Sequence, residues 1–126
     1  MPPKALQNAP LEVQREHLKQ KLLPIVDTME LLSGRWKVVI MTTLYLGGTM
    51  RFNEIKRMIP GITGRMLSKD LKFLEEHDIV SRQVEATAMP VAVAYQLTPY
   101  GQSLDPVFKA INDWGLKHRK HIMQKE

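Results

Sequence analysis

RFNEIKRMIPGITGRMLSKDLKFLEEHD, residues 51–78, contains a short amphipathic segment, a Pro-Gly break and a longer amphipathic segment whose charges run against their own helix. On the longer segment Leu67, Leu71 and Leu74 share one face at about 100° per residue, with Arg65, Lys69, Lys72 and Glu76 opposite. Thr63 is the expected N-cap. A helix macrodipole favours acids in the first turn and bases in the last, by roughly 0.3–1 kcal/mol each when exposed. Here Arg65, Lys69 and Lys72 come early, and Glu75, Glu76 and Asp78 come late. The Lys72–Glu76 pair also has the weaker, Lys-first direction. This order costs the helix locally, so its reason has to lie outside the helix.

Two strand-like runs follow, residues 79–85 and 91–97, with residues 86–90 as the turn between them. Short helix, tight break, longer helix and hairpin form the order of a winged helix-turn-helix. The expected fold class is mainly α with a small β-hairpin, an α+β arrangement. In it the recognition helix, about residues 63–77, enters a DNA major groove and the hairpin 79–97 is the wing. Early bases then meet phosphates and base edges while the late acids stay outside. Between residues 51 and 72, Arg51, Lys56, Arg57, Arg65, Lys69 and Lys72 face only Glu54 and Asp70, a local net of +4 in a chain of net +5. The plainer reading is a solvated amphipathic helix whose charge order is accidental.

Outward from this unit, 126 residues with 44% hydrophobic content suffice for one core and are too few for two ordinary domains. Residues 1–10, with three prolines, are expected as a flexible lead-in, and residues 11–126 as one domain. Leu11, Leu18 and Leu22 form a narrow seam on a charged helix that Pro24 should end, a seam suited to a partner helix. A second helix is expected at about 26–32. A third begins near Gly34, with Trp36, Val39, Ile40, Thr43 and Leu44 on one side, and stops at Gly47-Gly48. The last helix, from about Pro99, puts Leu104, Val107, Phe108 and Ile111 on one stripe with Trp114 beside it.

Several function classes drop out. The chain has no Cys, which excludes disulfides, thiolate nucleophiles, Cys-ligated zinc and thiol redox sensing within it. The N-terminus lacks a signal-peptide core, and the apolar-rich run 38–46 is too short to span a bilayer, so a soluble cytoplasmic chain with no membrane partner is expected. No Gly-rich phosphate loop, nucleophile elbow or paired-carboxylate pattern marks an enzyme, and no cofactor is expected. His118 and His121 stand at i,i+3, but two imidazoles make an incomplete metal site, which leaves a metal-responsive regulator well behind. The serious alternative is a protein-interaction module that keeps the winged-helix fold without DNA binding.

The motifs G-R-W (34–36), R-F-N-E-I (51–55), P-G-I-T-x-R-M-L (60–67) and L-T-P-x-G (97–101), with Trp114 downstream, arrive in the order seen in the HxlR-type family of bacterial transcriptional regulators, relatives of the MarR group, and residues 31–114 resemble that family. The resemblance implies a homodimer of winged helices on double-stranded operator DNA. Residues 63–72 would present the recognition surface, through Thr63, Gly64, Arg65, Met66, Ser68, Lys69 and Lys72, with Arg51 and Asn53 near the backbone. It implies dimerisation through the N- and C-terminal helices, which assigns Leu11, Leu18, Leu22, Phe108, Ile111 and Trp114 to the partner. A small-molecule effector, unidentified, would sit at the helix junction, with Met29, Met41, Phe108 and Trp114 as candidate lining.

Three departures stand out. Leu23-Pro24 occupies the place of a Cys-Pro used by some relatives to sense oxidants. Val93-Ala94-Tyr95 replaces a common Val-Glu-Tyr and removes a carboxylate. The wing tip carries no Lys or Arg, so Arg82 at its base is the better phosphate contact.

Overall fold

The leucine row of the longer segment anchors the core. In the computed structural model, which describes residues 4–125, Leu67, Leu71 and Leu74 are at most 1% exposed. They belong to helix α5 (Gly64–Glu76), preceded by α3 (Lys37–Gly47), strand β1 (Met50–Arg51) and α4 (Phe52–Met58). After α5 come β2 (Val80–Glu85), β3 (Ala92–Leu97), α6 (Pro99–Gln102) and α7 (Asp105–Gln124). Upstream lie α1 (Lys4–Gln7), a single turn, and α2 (Leu11–Leu32). Contacts divide the chain into two compact units, one ending at Ser33 and one starting at Gly34. Of the expected lead-in, residues 1–3 lie outside the described residues.

In the second unit α3 packs on α4, α5 and β3, and α5 on β2. Ile40, Met41, Leu44, Ile55, Ile79 and Val80 close the interior with the α5 leucines. At about 25 cal/mol per Å² of apolar surface, side chains of this size each stabilise the fold by roughly 1.5–3 kcal/mol. The sheet has the order β1-β3-β2 and is antiparallel throughout. Register runs from Val80 opposite Leu97 to Glu85 opposite Ala92, so the hairpin tip is residues 86–91.

The two ends of α5 are built locally. At its start the Met66 amide donates to Thr63 Oγ1 at 3.1 Å, the expected N-cap. At its end the Ile79 amide donates to the Leu74 carbonyl (2.9 Å) and the Asp78 amide to the Glu75 carbonyl (3.1 Å), with Asp78 left-handed at φ +61°. This is a Schellman closure with Asp where Gly is usual, Asp being among the few side chains that visit the left-handed region. It turns the chain directly into β2.

Four expectations are corrected and one strand is added. Pro24 does not end a helix: α2 runs through it. Proline removes one helical bond, but neither Gly nor a capping residue lies beside it, and Thr28 Oγ1 donates to the Pro24 carbonyl at 2.7 Å. Helix α3 starts at Lys37, and its inward face is Ile40, Met41 and Leu44, with Val39 turned outward at 40% exposure. Trp36 is half-buried just before it, its ring near Gly61 in the turn between α4 and α5, where φ is +85°. Strand β1 has no sequence signature, since two residues carry no periodicity. The last helix is two, because the Leu104–Asp105-Pro106 step starts α7 anew.

Candidate nucleic-acid interface

The early bases of α5 point away from the core. Arg65, Lys69 and Lys72 are exposed, as are Thr63, Met66 and Ser68, while Gly64 is half-buried. Spaced i, i+4 and i+7 and backed by the buried leucines, the three cations form one outward row at the N-terminal and middle turns of the helix.

Arg51 closes the strand before α4. Its backbone amide donates to Glu54 Oε1 (3.0 Å), holding the first turn of that helix, and its guanidinium pairs with the Glu85 carboxylate at 3.1 Å. Glu85 ends β2, so this pair ties the base of the wing tip to the start of α4. Asn53 lies exposed in that first turn. Arg82, exposed on β2, stands opposite Tyr95. Ala94 is 2% exposed and in register with Arg51, and the anion beside this guanidinium is Glu85, from β2.

Lys56 and Arg57 belong to the local positive charge but lie outside the expected set of DNA contacts. Both are exposed in the last turn of α4 and line a cleft of about 440 Å³ with Asn53, Pro60 and Gly61. Arg57 also lines a second cleft, of about 560 Å³, between the start of α4 and residues 88–93 of the wing. A basic last turn of a short helix was the available signal.

Of the six residues expected to face a partner, five are exposed and one is buried. Leu11, Leu18 and Leu22 are 60%, 55% and 42% exposed, and Ile111 and Trp114 are 43% and 65% exposed. Phe108, grouped with them from its spacing, is instead buried, edge-on to Tyr45 with ring centroids 5.7 Å apart. Of the candidate effector lining, Met41 and Phe108 are core, and Met29 and Trp114 are exposed. Trp114 stacks on His118 at 4.9 Å. Among the described residues no group of three His, Asp or Glu is placed to hold a metal, and no helix is long and apolar enough to cross a membrane.

Tyr45 also anchors α7 through its hydroxyl, which donates to Asp105 Oδ1; Lys109 Nζ approaches the other carboxylate oxygen at 2.8 Å. Lys109 and then Tyr45 hold the Asp105 carboxyl below the usual carboxylate range. Asp105 in turn pushes the Tyr45 hydroxyl and the Lys109 ammonium up.

Known proteins share this fold. Residues 31–123 match the family model described as HxlR-like helix-turn-helix. The chain is 36% identical over 99 residues to the HTH-type transcriptional regulator YdeP of Bacillus subtilis, covering 79% of this chain and 76% of that one. It is 35% identical over 104 residues to YtcD of the same organism, covering 82% and 81%. Among solved structures it resembles the redox regulator HypR in its reduced form, with a TM-score of 0.73, 35% identity and coverage of 80% of this chain and 98% of that one.

Proposed function

The chain belongs to the HxlR-like helix-turn-helix family and is a DNA-binding transcriptional regulator, and from that premise we propose that it grips its operator as a homodimer, with α5 in the major groove and the β2–β3 hairpin as wing. The observation that carries this reading is the outward row Arg65, Lys69 and Lys72 on a helix whose other face is the core. Arg65, nearest the helix start, reads a base edge; Lys69, Lys72, Arg57 and Arg82 meet phosphates. Arg51 and Asn53 lie beside the backbone. The apolar residues exposed on α2 and on α7 supply the partner contacts, since such surface calls for cover. The protein works in the cytoplasm without catalysis.

The test is a set of salt-titrated binding curves on cognate and random duplexes. Arg65→Ala should cost about 1–3 kcal/mol on the cognate site and much less on random DNA. Lys69→Ala and Lys72→Ala should weaken both alike and lower the magnitude of the salt slope by about 0.9 per lost contact, or about twice that in a dimer. Glu76→Lys, at the far end of the helix, should change little. Equal losses at all four positions on both DNAs would mean generic electrostatics. No losses would favour a protein-interaction module.

A further inference from the structure

The wing tip differs in character from everything around it. Residues 86–91, Ala-Thr-Ala-Met-Pro-Val, carry no charge. Met89 is 93% exposed and Val91 59% exposed, the former more than any other large apolar side chain described. The tip is a turn closed at its base by the last ladder pair, Glu85 with Ala92, and by the Ala88 amide, which donates to the Glu85 carbonyl at 3.1 Å. Glu85, whose negative charge would repel a phosphate, is paired with Arg51. One wall of the 560 Å³ cleft is this tip and the other carries Arg57 with Asn53, Glu54 and the Glu85-paired Arg51.

A polar wall whose unpaired cation is Arg57 and a neutral apolar finger opposite it match the two chemistries of a duplex edge. Phosphates line the rim of the minor groove, while its walls are deoxyribose C–H surface about 6 Å apart. An unbranched thioether adapts to such a slot, and Met and Pro are among the side chains that wedge between base steps in minor-groove complexes. Resting on the DNA-binding reading above, we propose that the Met89-Pro90 tip enters the minor groove beside the recognition site as an apolar wedge. The tip then adds affinity without neutralising phosphate. It also favours operators with easily unstacked TA or CA/TG steps under the tip, a preference exerted through deformability.

The probe is a set of duplexes selected by the full-length protein from a random-sequence pool and labelled at both ends, so that energy transfer reports bending. Met89 is nearly fully exposed, so its variants leave the fold intact. Met89→Ala should weaken binding roughly ten-fold, the order expected for losing one buried Met side chain, with an unchanged salt slope and a smaller bend. Replacing flexible steps under the wing by G·C-rich ones should weaken the wild type but not Met89→Ala. Met89→Arg should steepen the salt slope by about 0.9 per new contact. If Met89→Ala binds within about two-fold of wild type at every salt concentration, or loses affinity only through a changed slope, the wedge is overturned. Arg65→Ala on the same duplexes separates the two readings. A loss with Arg65→Ala alone removes the wedge and keeps the recognition helix; no loss with either removes the DNA-binding reading itself.

Discussion

Asp78 shows how a single residue can have a reason that charge patterning hides. As a late acid it opposes the α5 dipole, yet it occupies the left-handed position that closes the helix, and its carbonyl accepts from Thr98 Oγ1 at 2.6 Å. Glu75 and Glu76 have no such local role, so the basic early turns still call for a phosphate partner. Tyr45 is the other residue whose importance comes from its neighbours. The Asp105 carboxyl is held low in the fold, so its stabilising contribution is present above the unfolded value of about 3.9 and fades as pH falls through the lower folded value. The Tyr45 and Lys109 shifts are upward, so their contributions persist below about pH 10 and fade above it. Tyr45→Phe keeps the ring contact with Phe108 and removes the hydroxyl. Its melting temperature should fall below that of the wild type near neutral pH, and the gap should shrink in acid below the carboxylate range; a gap independent of pH would show that Asp105 is not the partner that matters.

Among elements, the junction of β3 with α6 is the least tolerant. Thr98 caps α6: its hydroxyl accepts from the Gly101 amide at 2.9 Å, and its own amide donates to the Ile79 carbonyl at 3.0 Å. Pro99 supplies the first helical position without a wasted donor. This brings Gly101 so close to the start of β2 that a Cβ would lie 2.3 Å from the Ile79 carbonyl oxygen. The L-T-P-x-G motif is thus a packing device joining β3, α6 and the end of α5. Gly101→Ala should cost about 1–3 kcal/mol, as backbone has to shift, and roughly 4–8 °C of Tm per kcal/mol in a unit of this size. A thermal melt indistinguishable from wild type would show that the turn can yield.

At the scale of the whole molecule, two expectations follow from surface and composition. The apolar residues exposed on α2 and α7 should be covered by a second copy, so light scattering at micromolar protein should give the mass of a dimer, and Trp114→Glu should shift it toward the monomer. With no cysteine to oxidise, DNA binding should be unchanged by diamide; release reversed by dithiothreitol would contradict this, since that reductant does not restore oxidised Met. What the sequence determined by itself was everything carried by local periodicity and capping: the α5 leucine face and its opposite cations, the Thr63 cap, the hairpin and hence the winged helix-turn-helix order. These are legible because each rests on residues within a few positions of one another. Only the tertiary structure decided that Phe108 belongs to the core, that β1 pairs with β3, and that Arg51 spends its charge on Glu85, because each depends on a partner more than thirty positions away; it also left Val39 outside the core. Pro24 was misread for a third reason: a propensity rule counts the one bond that proline removes, and the structure retains the helix on either side of it.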